Sequence, residues 1–524
     1  MPPRFRLVVA LSLTAVLAAG PSGLPADESA ISDRPNIIVI LADDMGYSDI
    51  GPTGSEIATP NLDRLAAEGQ LWPQFYNNAK CTTTRVSLLT GCYPLPREPH
   101  FAASTPTVAE TLRRVGYRTI HVGKWHLGAQ SAYIGSVAPY RPSDRGFDTH
   151  YGLLDGCCNY FDPGQRDPAF KKHKLRHFAR DDRRIREFPS DFYTTDAFTE
   201  EACRQIVASG KEPFFLHLCY TAPHYPLHAK PDDIARYRGR YRDGWDALRR
   251  QRFERQAELG LVEPDWPLPP PEDDVPEWET LPESQQDYYD HLMATYAAMV
   301  TAMDRGIGRV LQTLDEQGLT DNTLIVFLSD NGGCSETLGG IRFDQTPGVA
   351  STYTTVGPGW AYAQNTPYRR FKQWIHEGGV RTPAIVRWPG QIPAGSRCDG
   401  VGHLIDLHPT FAEAAATEPL AASASGGVSD AVDGISLLNS MRTGEPQPRP
   451  EPLFWLWSRR RGVRDGNLKA VYRRDADEWR LFDLALDPTE AVDLSSEHPA
   501  ELDRLIDAWD QWHAGQKRIA AATD

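Results

Sequence analysis

Asp43 and Asp44 follow the apolar run of residues 36–42 (NIIVILA) without a break. Adjacent carboxylates at a strand end repel unless a cation lies between them. A second oxygen-rich stretch, Asp330-Asn331-Gly332-Gly333, stands after residues 322–329 (NTLIVFLS). Three carboxylates and one amide offer only oxygen donors, which suits a hard cation such as Ca2+ or Mg2+. Taken apart they are commonplace: an Asp can cap a helix, and Asn-Gly is a frequent turn.

Cys81-Thr82-Thr83-Thr84-Arg85 opens residues 86–91 (VSLLTG). Val86, Leu88, Leu89 and the terminal Gly91 fit a short helix whose start the hydroxyl residues are available to cap. Cys81 then lies at a helix N-terminus, where free N–H groups and the dipole favour negative charge, and Arg85 returns to its face one turn on. Lys124-Trp125-His126 closes residues 117–123 (YRTIHVG). In extended chain Lys124 and His126 share one side and Trp125 takes the other. His224 sits in TAPH after a further apolar run, and Lys372 in KQWIHEGG ahead of apolar residues 382–387. Singly, these are an inert thiol, surface lysines and core histidines. Together they offer cation ligands, a nucleophile and a set of donors, which amounts to a site for a tetrahedral oxyanion.

The elements that must position these residues read as α/β. Residues 36–42, 117–123, 213–220 and 322–329 are rich in Val, Ile, Leu and Phe without strict alternation, the pattern of parallel strands buried on both faces. Amphipathic residues 109–115 and 288–314 supply covering helices. Loops after such strands converge at the carboxyl ends, which turns separate motifs into one expected site. Residues 230–286 are charged and Pro-rich and read as a long surface excursion, helical at 245–259. Residues 412–427 turn Ala/Ser/Gly-rich, as in a flexible loop near a subdomain boundary. Beyond them 452–457, 467–473 and 479–484 look like strands of a separate sheet, and 500–513 like a closing amphipathic helix. The expected division is a main α/β domain at 27–445, with a large mixed, mainly parallel sheet, and a C-terminal α+β subdomain with an antiparallel sheet at 446–524.

Arg4 and Arg6 precede an apolar run at residues 7–19, and Ala18-Ala19-Gly20 supplies small residues for cleavage. Residues 1–26 therefore read as a secretory signal peptide, and the destination as the periplasm or medium, without membrane insertion. A formal charge of −15 over 524 residues argues against nucleic-acid or anionic-membrane partners. Any pocket for an anion must then be a local cationic exception. The 8 cysteines are scattered, which excludes a dense disulfide scaffold or a zinc ribbon.

The chain resembles the sulfatase family of the alkaline-phosphatase-like superfamily, and looks closest to bacterial arylsulfatase-type members. The matching stretches are ADDMG, CTTTRVSLLTG, GYRTIHVGKWHLG, TAPH, LSDNGG, KQWIHEGGVRTP and the ending LFDLALDPTEAVDLSSEHP, in family order. The resemblance implies an alkaline-phosphatase-like fold and one Ca2+ held by Asp43, Asp44, Asp330 and Asn331 together with a modified Cys81. It implies oxidation of Cys81 to formylglycine by a formylglycine-generating system during maturation. The hydrate would attack sulfur, and loss of its second proton would expel sulfate. Arg85, Lys124 and His126 would support the hydrate, while His224 and Lys372 would grip a small-molecule or carbohydrate sulfate ester. Thr83 departs from the family pattern, which has Pro two residues after the Cys. A phosphate mono- or diesterase on the same fold, or a noncatalytic binder of sulfated glycans, are the alternative readings.

Overall fold

The computed structural model describes residues 34–94, 105–127, 141–420 and 432–523. The signal segment 1–26 and residues 421–427 of the Ala/Ser/Gly-rich stretch lie outside them. Residues 412–414 of that stretch belong to the helix Leu407–Ala414 rather than to a loop.

Apolar runs without alternation build the centre. The strands are β1 (Asn36–Asp43), β2 (Gln70–Tyr76), β3 (Arg118–Gly123), β4 (Thr149–Leu153), β5 (Phe178–Arg180), β6 (Arg183–Ile185), β7 (Phe214–Pro223), β8 (Thr323–Ser329), β9 (Arg381–Arg387), β10 (Ser396–Arg397) and β11 (Gly402–His403). Every residue of β1, β7 and β8 is buried. These strands run parallel with β3 and β4 in the order β4-β3-β7-β1-β8. β9 is antiparallel to both β8 and β2, and β5 and β6 form an antiparallel ribbon at the other edge. The sheet is mixed and mainly parallel at its centre, as the apolar pattern requires.

The main helices are α1 (Cys81–Thr90), α2 (Thr194–Ser209), α3 (Gly244–Glu258), α4 (Glu283–Gln317) and α5 (Pro499–Thr523). Ile38, Ile40 and Ala42 of β1 pack into one core with α2 and α4, whereas Ile37, Val39 and Leu41 pack into another with α1. That two-residue alternation places helices on both faces.

A second sheet runs through β12 (Leu453–Trp457), β13 (Arg460–Asp465), β14 (Leu468–Arg473) and β15 (Glu478–Asp483), all antiparallel. α5 covers it through Leu505 and Trp509. β13 falls where no strand is expected, because RRGVRD contains no apolar run.

The charged stretch 230–286 is not a surface excursion. Arg252 is fully buried and donates to Asp49 at 2.7 Å and Glu56 at 2.8 Å. Arg249 donates to the carbonyls of Tyr362 and Pro367 at 2.8 and 2.7 Å. Trp245 and Trp278 pack edge-on at 4.7 Å beside Trp360 and Tyr289. Composition counts these charges as solvated, but carboxylates and carbonyls from distant segments satisfy them inside.

Candidate active site

The site lies where the parallel strands end. Asp43 is the last residue of β1, and Asp330, Lys124 and His224 each stand one residue past β8, β3 and β7. On a regular strand adjacent side chains diverge, so Asp43 and Asp44 would face apart. Asp44 avoids this with a left-handed backbone, φ 63, a conformation Asp tolerates better than most residues. β3 ends in the same way: Gly123 has φ 107 and His126 φ 55. A side chain at Gly123 would meet the Cys219 carbonyl at 1.8 Å, so the closeness of β3 to β7 requires glycine.

These turns bring the chemistry-bearing residues together. Lys124 Nζ donates to both Asp43 oxygens at 2.8 and 2.6 Å. Lys372 Nζ lies 2.7 Å from Asp44 Oδ1 and 2.8 Å from Oδ2. Arg85 donates to Asp330 Oδ2 at 2.8 Å and to the Lys124 carbonyl at 2.6 Å. Asn331 Nδ2 donates to Asp44 Oδ1 at 2.7 Å. His126 Nδ1 is 3.3 Å from Cys81 Sγ, and His224 Nε2 is 3.4 Å from Asp44 Oδ2. All of these residues are buried or nearly so, and Cys81 is 1% exposed.

Cys81 opens α1, as expected, and Gly91 ends it in the left-handed conformation. The hydroxyls do not cap the start as expected: Lys80 is the cap residue and makes no side-chain capping bond. Thr83 Oγ1 instead donates back to the carbonyls of Asn78 and Lys80, and Thr84 Oγ1 accepts from the Asn78 N–H. Thr83 occupies the third helical position, where the backbone N–H has no partner within the helix. A proline there would therefore cost no helical hydrogen bond, and Thr83 leaves the helix geometry unaltered.

The electrostatics are those of a desolvated, charge-dense site. Burial pushes the Asp43 carboxyl well above the ordinary range despite Lys124, with Asp330 and Asp44 adding repulsion. Against burial, Lys372 and Lys124 hold Asp44 low. Burial, then Lys124, keep His126 and His224 neutral, and burial likewise raises the Cys81 thiol. Asn331 Oδ1 is buried without a hydrogen-bond partner. Asp43, Cys81 and Asp330 offer ligand atoms within 4.8 Å of one another, as do Asp43, Asp44 and His224. An orphaned amide oxygen beside crowded carboxylates fits an oxygen-loving cation.

Two site neighbours escape sequence reading. Glu336 accepts from the Tyr225 hydroxyl at 2.7 Å and lies 3.7 Å from Lys372 and 3.6 Å from Lys80. Their only sequence signals are position, five residues past Asn331 for Glu336 and one before Cys81 for Lys80. The loop after β4 also borders the site: a side chain at Gly156 would meet the His126 ring at 2.4 Å, and Asn159 reaches the Ala350 carbonyl at 2.7 Å.

Comparison with known proteins agrees with this geometry. A family model described as Sulfatase matches residues 35–417. The chain is 34% identical to an arylsulfatase of Klebsiella aerogenes, over 78% of this chain and 92% of that one. It is 33% identical to an uncharacterized sulfatase of Schizosaccharomyces pombe, over 95% of this chain and 97% of that one. Among solved structures, Ps i-CgsB in complex with k-i-k-neocarrahexaose superposes with a TM-score of 0.66 at 29% identity, covering 92% and 93% of the two chains. Among the described residues no helix is long and apolar enough to cross a membrane. The chain therefore belongs to the sulfatase family, with its alkaline-phosphatase-like fold, and is an enzyme that hydrolyses sulfate esters.

Proposed function

We propose that Cys81, oxidised to formylglycine, is the nucleophilic centre, and that Asp43, Asp44, Asp330 and Asn331 hold one Ca2+ beside it. The observation that carries this reading is the orphaned Oδ1 of Asn331, whose Nδ2 bonds Asp44, beside the buried carboxylates Asp43 and Asp330 that cluster with Cys81. The aldehyde hydrate supplies one hydroxyl for attack and a second for product release. The calcium ion supplies charge that offsets the carboxylates and the anionic ester.

The chain's own residues do the rest. Arg85, tied to Asp330 and the Lys124 carbonyl, fixes one ligand relative to the start of α1. His126 is held neutral, so its Nδ1, next to the position-81 side chain, can accept a proton there. Lys124 and Lys372 turn spare N–H groups to sulfate oxygens once a cation shares the load on Asp43 and Asp44. His224 Nδ1 donates to the Tyr225 carbonyl at 2.5 Å, which leaves Nε2 facing the ester. The ester's negative charge favours a proton on Nε2, which then passes to the leaving oxygen.

Calcium content and the variant Asn331→Ala test the metal assignment. Active protein should hold calcium, and its melting temperature should rise with added Ca2+. In Asn331→Ala the same rise should need about tenfold more Ca2+, or ~1.4 kcal/mol of lost binding. Zinc in active protein, or melting that ignores Ca2+, contradicts the assignment.

A further inference from the structure

The tip of the β12–β13 hairpin reads WSRRR, with Arg459, Arg460 and Arg461 in succession. Ser458 and Arg459 make the two-residue turn, Ser458 with φ 58. Trp457 and Arg460 are directly paired across it, so their side chains share a face. That face meets two of the segments that bring residues to the active site. Lys80, next to Cys81, places its Nζ 5.6 Å from the Trp457 ring centroid. Arg460 Cζ lies 4.1 Å from the ring of Trp374, two residues beyond Lys372. Arg370 Cζ lies 4.0 Å from the same ring.

The arginines differ in how they are compensated. Arg370 pairs with Glu272 at 2.7 Å, Arg473 with Asp475 at 2.6 Å, and Lys80 with Glu336 at 3.6 Å. Among the described residues no carboxylate lies within ion-pair distance of Arg460, Asp475 attracts it only from farther off, and its Nε is buried without a partner. Burial, together with Arg474 and Arg370, disfavours its charge. Arg459 and Arg474 stand exposed nearby. In a chain of formal charge −15, Arg459, Arg460 and Arg474 form a local cationic patch beside the anion pocket, and such a patch attracts anions.

We propose that residues 457–460 and the Trp374 turn form a second anion site on the rim, which binds a further sulfate or carboxylate of an oligosaccharide whose scissile sulfate lies at Cys81. The inference rests on the proposed function, since a sulfated saccharide chain is a substrate that carries both groups. It makes the C-terminal sheet a reader of substrate charge beyond the cleaved ester. Charge attraction at such a site falls with salt, because the cluster is partly solvated.

Binding and turnover are measured separately. Labelled heparin-derived and carrageenan-derived tetrasaccharides are titrated at low and high salt into Cys81→Ser protein, with and without Arg460→Ala or Arg459→Ala. Arg459 is exposed and its removal disturbs no packing, so it stands in if Arg460→Ala lowers the melting temperature. At least one tetrasaccharide should bind the parent, about tenfold more weakly after Arg460→Ala and about threefold more weakly after Arg459→Ala, with a shallower salt dependence. No binding by the parent, or equal affinity in all three proteins, overturns the site. A polyaspartate peptide that binds as tightly, with the same dependence on Arg460, overturns the saccharide assignment. Hydrolysis of 4-nitrophenyl sulfate by the wild type judges the proposed function independently: its absence sinks that reading, while the titrations still decide the rim site.

Discussion

His224 illustrates how much one hydrogen bond decides. With Nδ1–H committed to the Tyr225 carbonyl, only Nε2 can serve the leaving oxygen, so the residue's value depends on how much that oxygen needs a proton. His224→Ala should cost about 10²- to 10⁴-fold in kcat/KM for alkyl or sugar sulfates and under about tenfold for 4-nitrophenyl sulfate. A loss independent of leaving group would make His224 a sulfate-binding residue instead. Asp43, Asp44, Lys124, His224, Asp330 and Asn331 are legible in sequence because they stand at or just past the ends of apolar runs, and strand ends converge by topology. Glu336 and Lys80 are not legible, since a lone charge in a loop carries no pattern. Their place follows from contacts with Tyr225, Lys372 and Trp457, made across more than a hundred residues of chain in the case of Tyr225.

Elements set the accuracy of the site. The loop after β4 touches the His126 ring through Gly156, where an added methyl would lie 2.4 Å from the ring atoms. Those atoms are the far end of a side chain, so Gly156→Ala should displace the imidazole rather than unfold the loop. The expected outcome is at least a tenfold fall in kcat with a melting temperature within about 2 °C of wild type, or under ~2 kcal/mol for a chain of this length. Unchanged kcat would show that His126 is not held to Cys81 by this loop. Of the central parallel strands, β1, β3, β7 and β8 were legible to within a residue or so, apart from the longer C-terminal end of β7, because burial on both faces demands unbroken apolar runs; the short β4 was not. Residues 230–286 yielded the helix expected at 245–259, found at Gly244–Glu258, but their burial was missed, as was β13, for a common reason. Arg464 reaches Tyr76 and Gln74, and Arg252 reaches Asp49 and Glu56, so charges that look solvated in the sequence are anchors in the fold.

At the scale of the molecule, the C-terminal sheet is joined to the main body through buried charges. Lys469 of β14 lies 2.7 Å from Glu377 and 2.9 Å from Glu490. Burial, with Glu377 adding repulsion and Lys469 opposing, pushes Glu490 up to about 7 from an ordinary 4.5. Below pH 4.5 the folded and unfolded chains both hold this proton. Between 4.5 and about 7 the folded chain holds more of it, so this group's contribution to stability falls as pH rises and levels off above 7. Glu490→Gln removes that dependence. The variant's melting temperature relative to wild type should therefore climb by several degrees from pH 5 to pH 8. A constant or falling difference would contradict the direction of the shift. The same junction carries residues near Cys81 and Lys372 in the chain, since Tyr76, Ala79 and Ile375 share a core with β12 to β15. The proposed function calls for a chemically altered Cys81; burial raises its thiol, which weakens it as a nucleophile in its own right. The most direct measurement is mass spectrometry of the tryptic peptide spanning residues 81–85, cut after Lys80 and Arg85, from protein of known specific activity. The fraction of peptide carrying an aldehyde in place of the thiol should rise in proportion to arylsulfatase activity across preparations. Full activity with only unmodified cysteine at position 81 would contradict it.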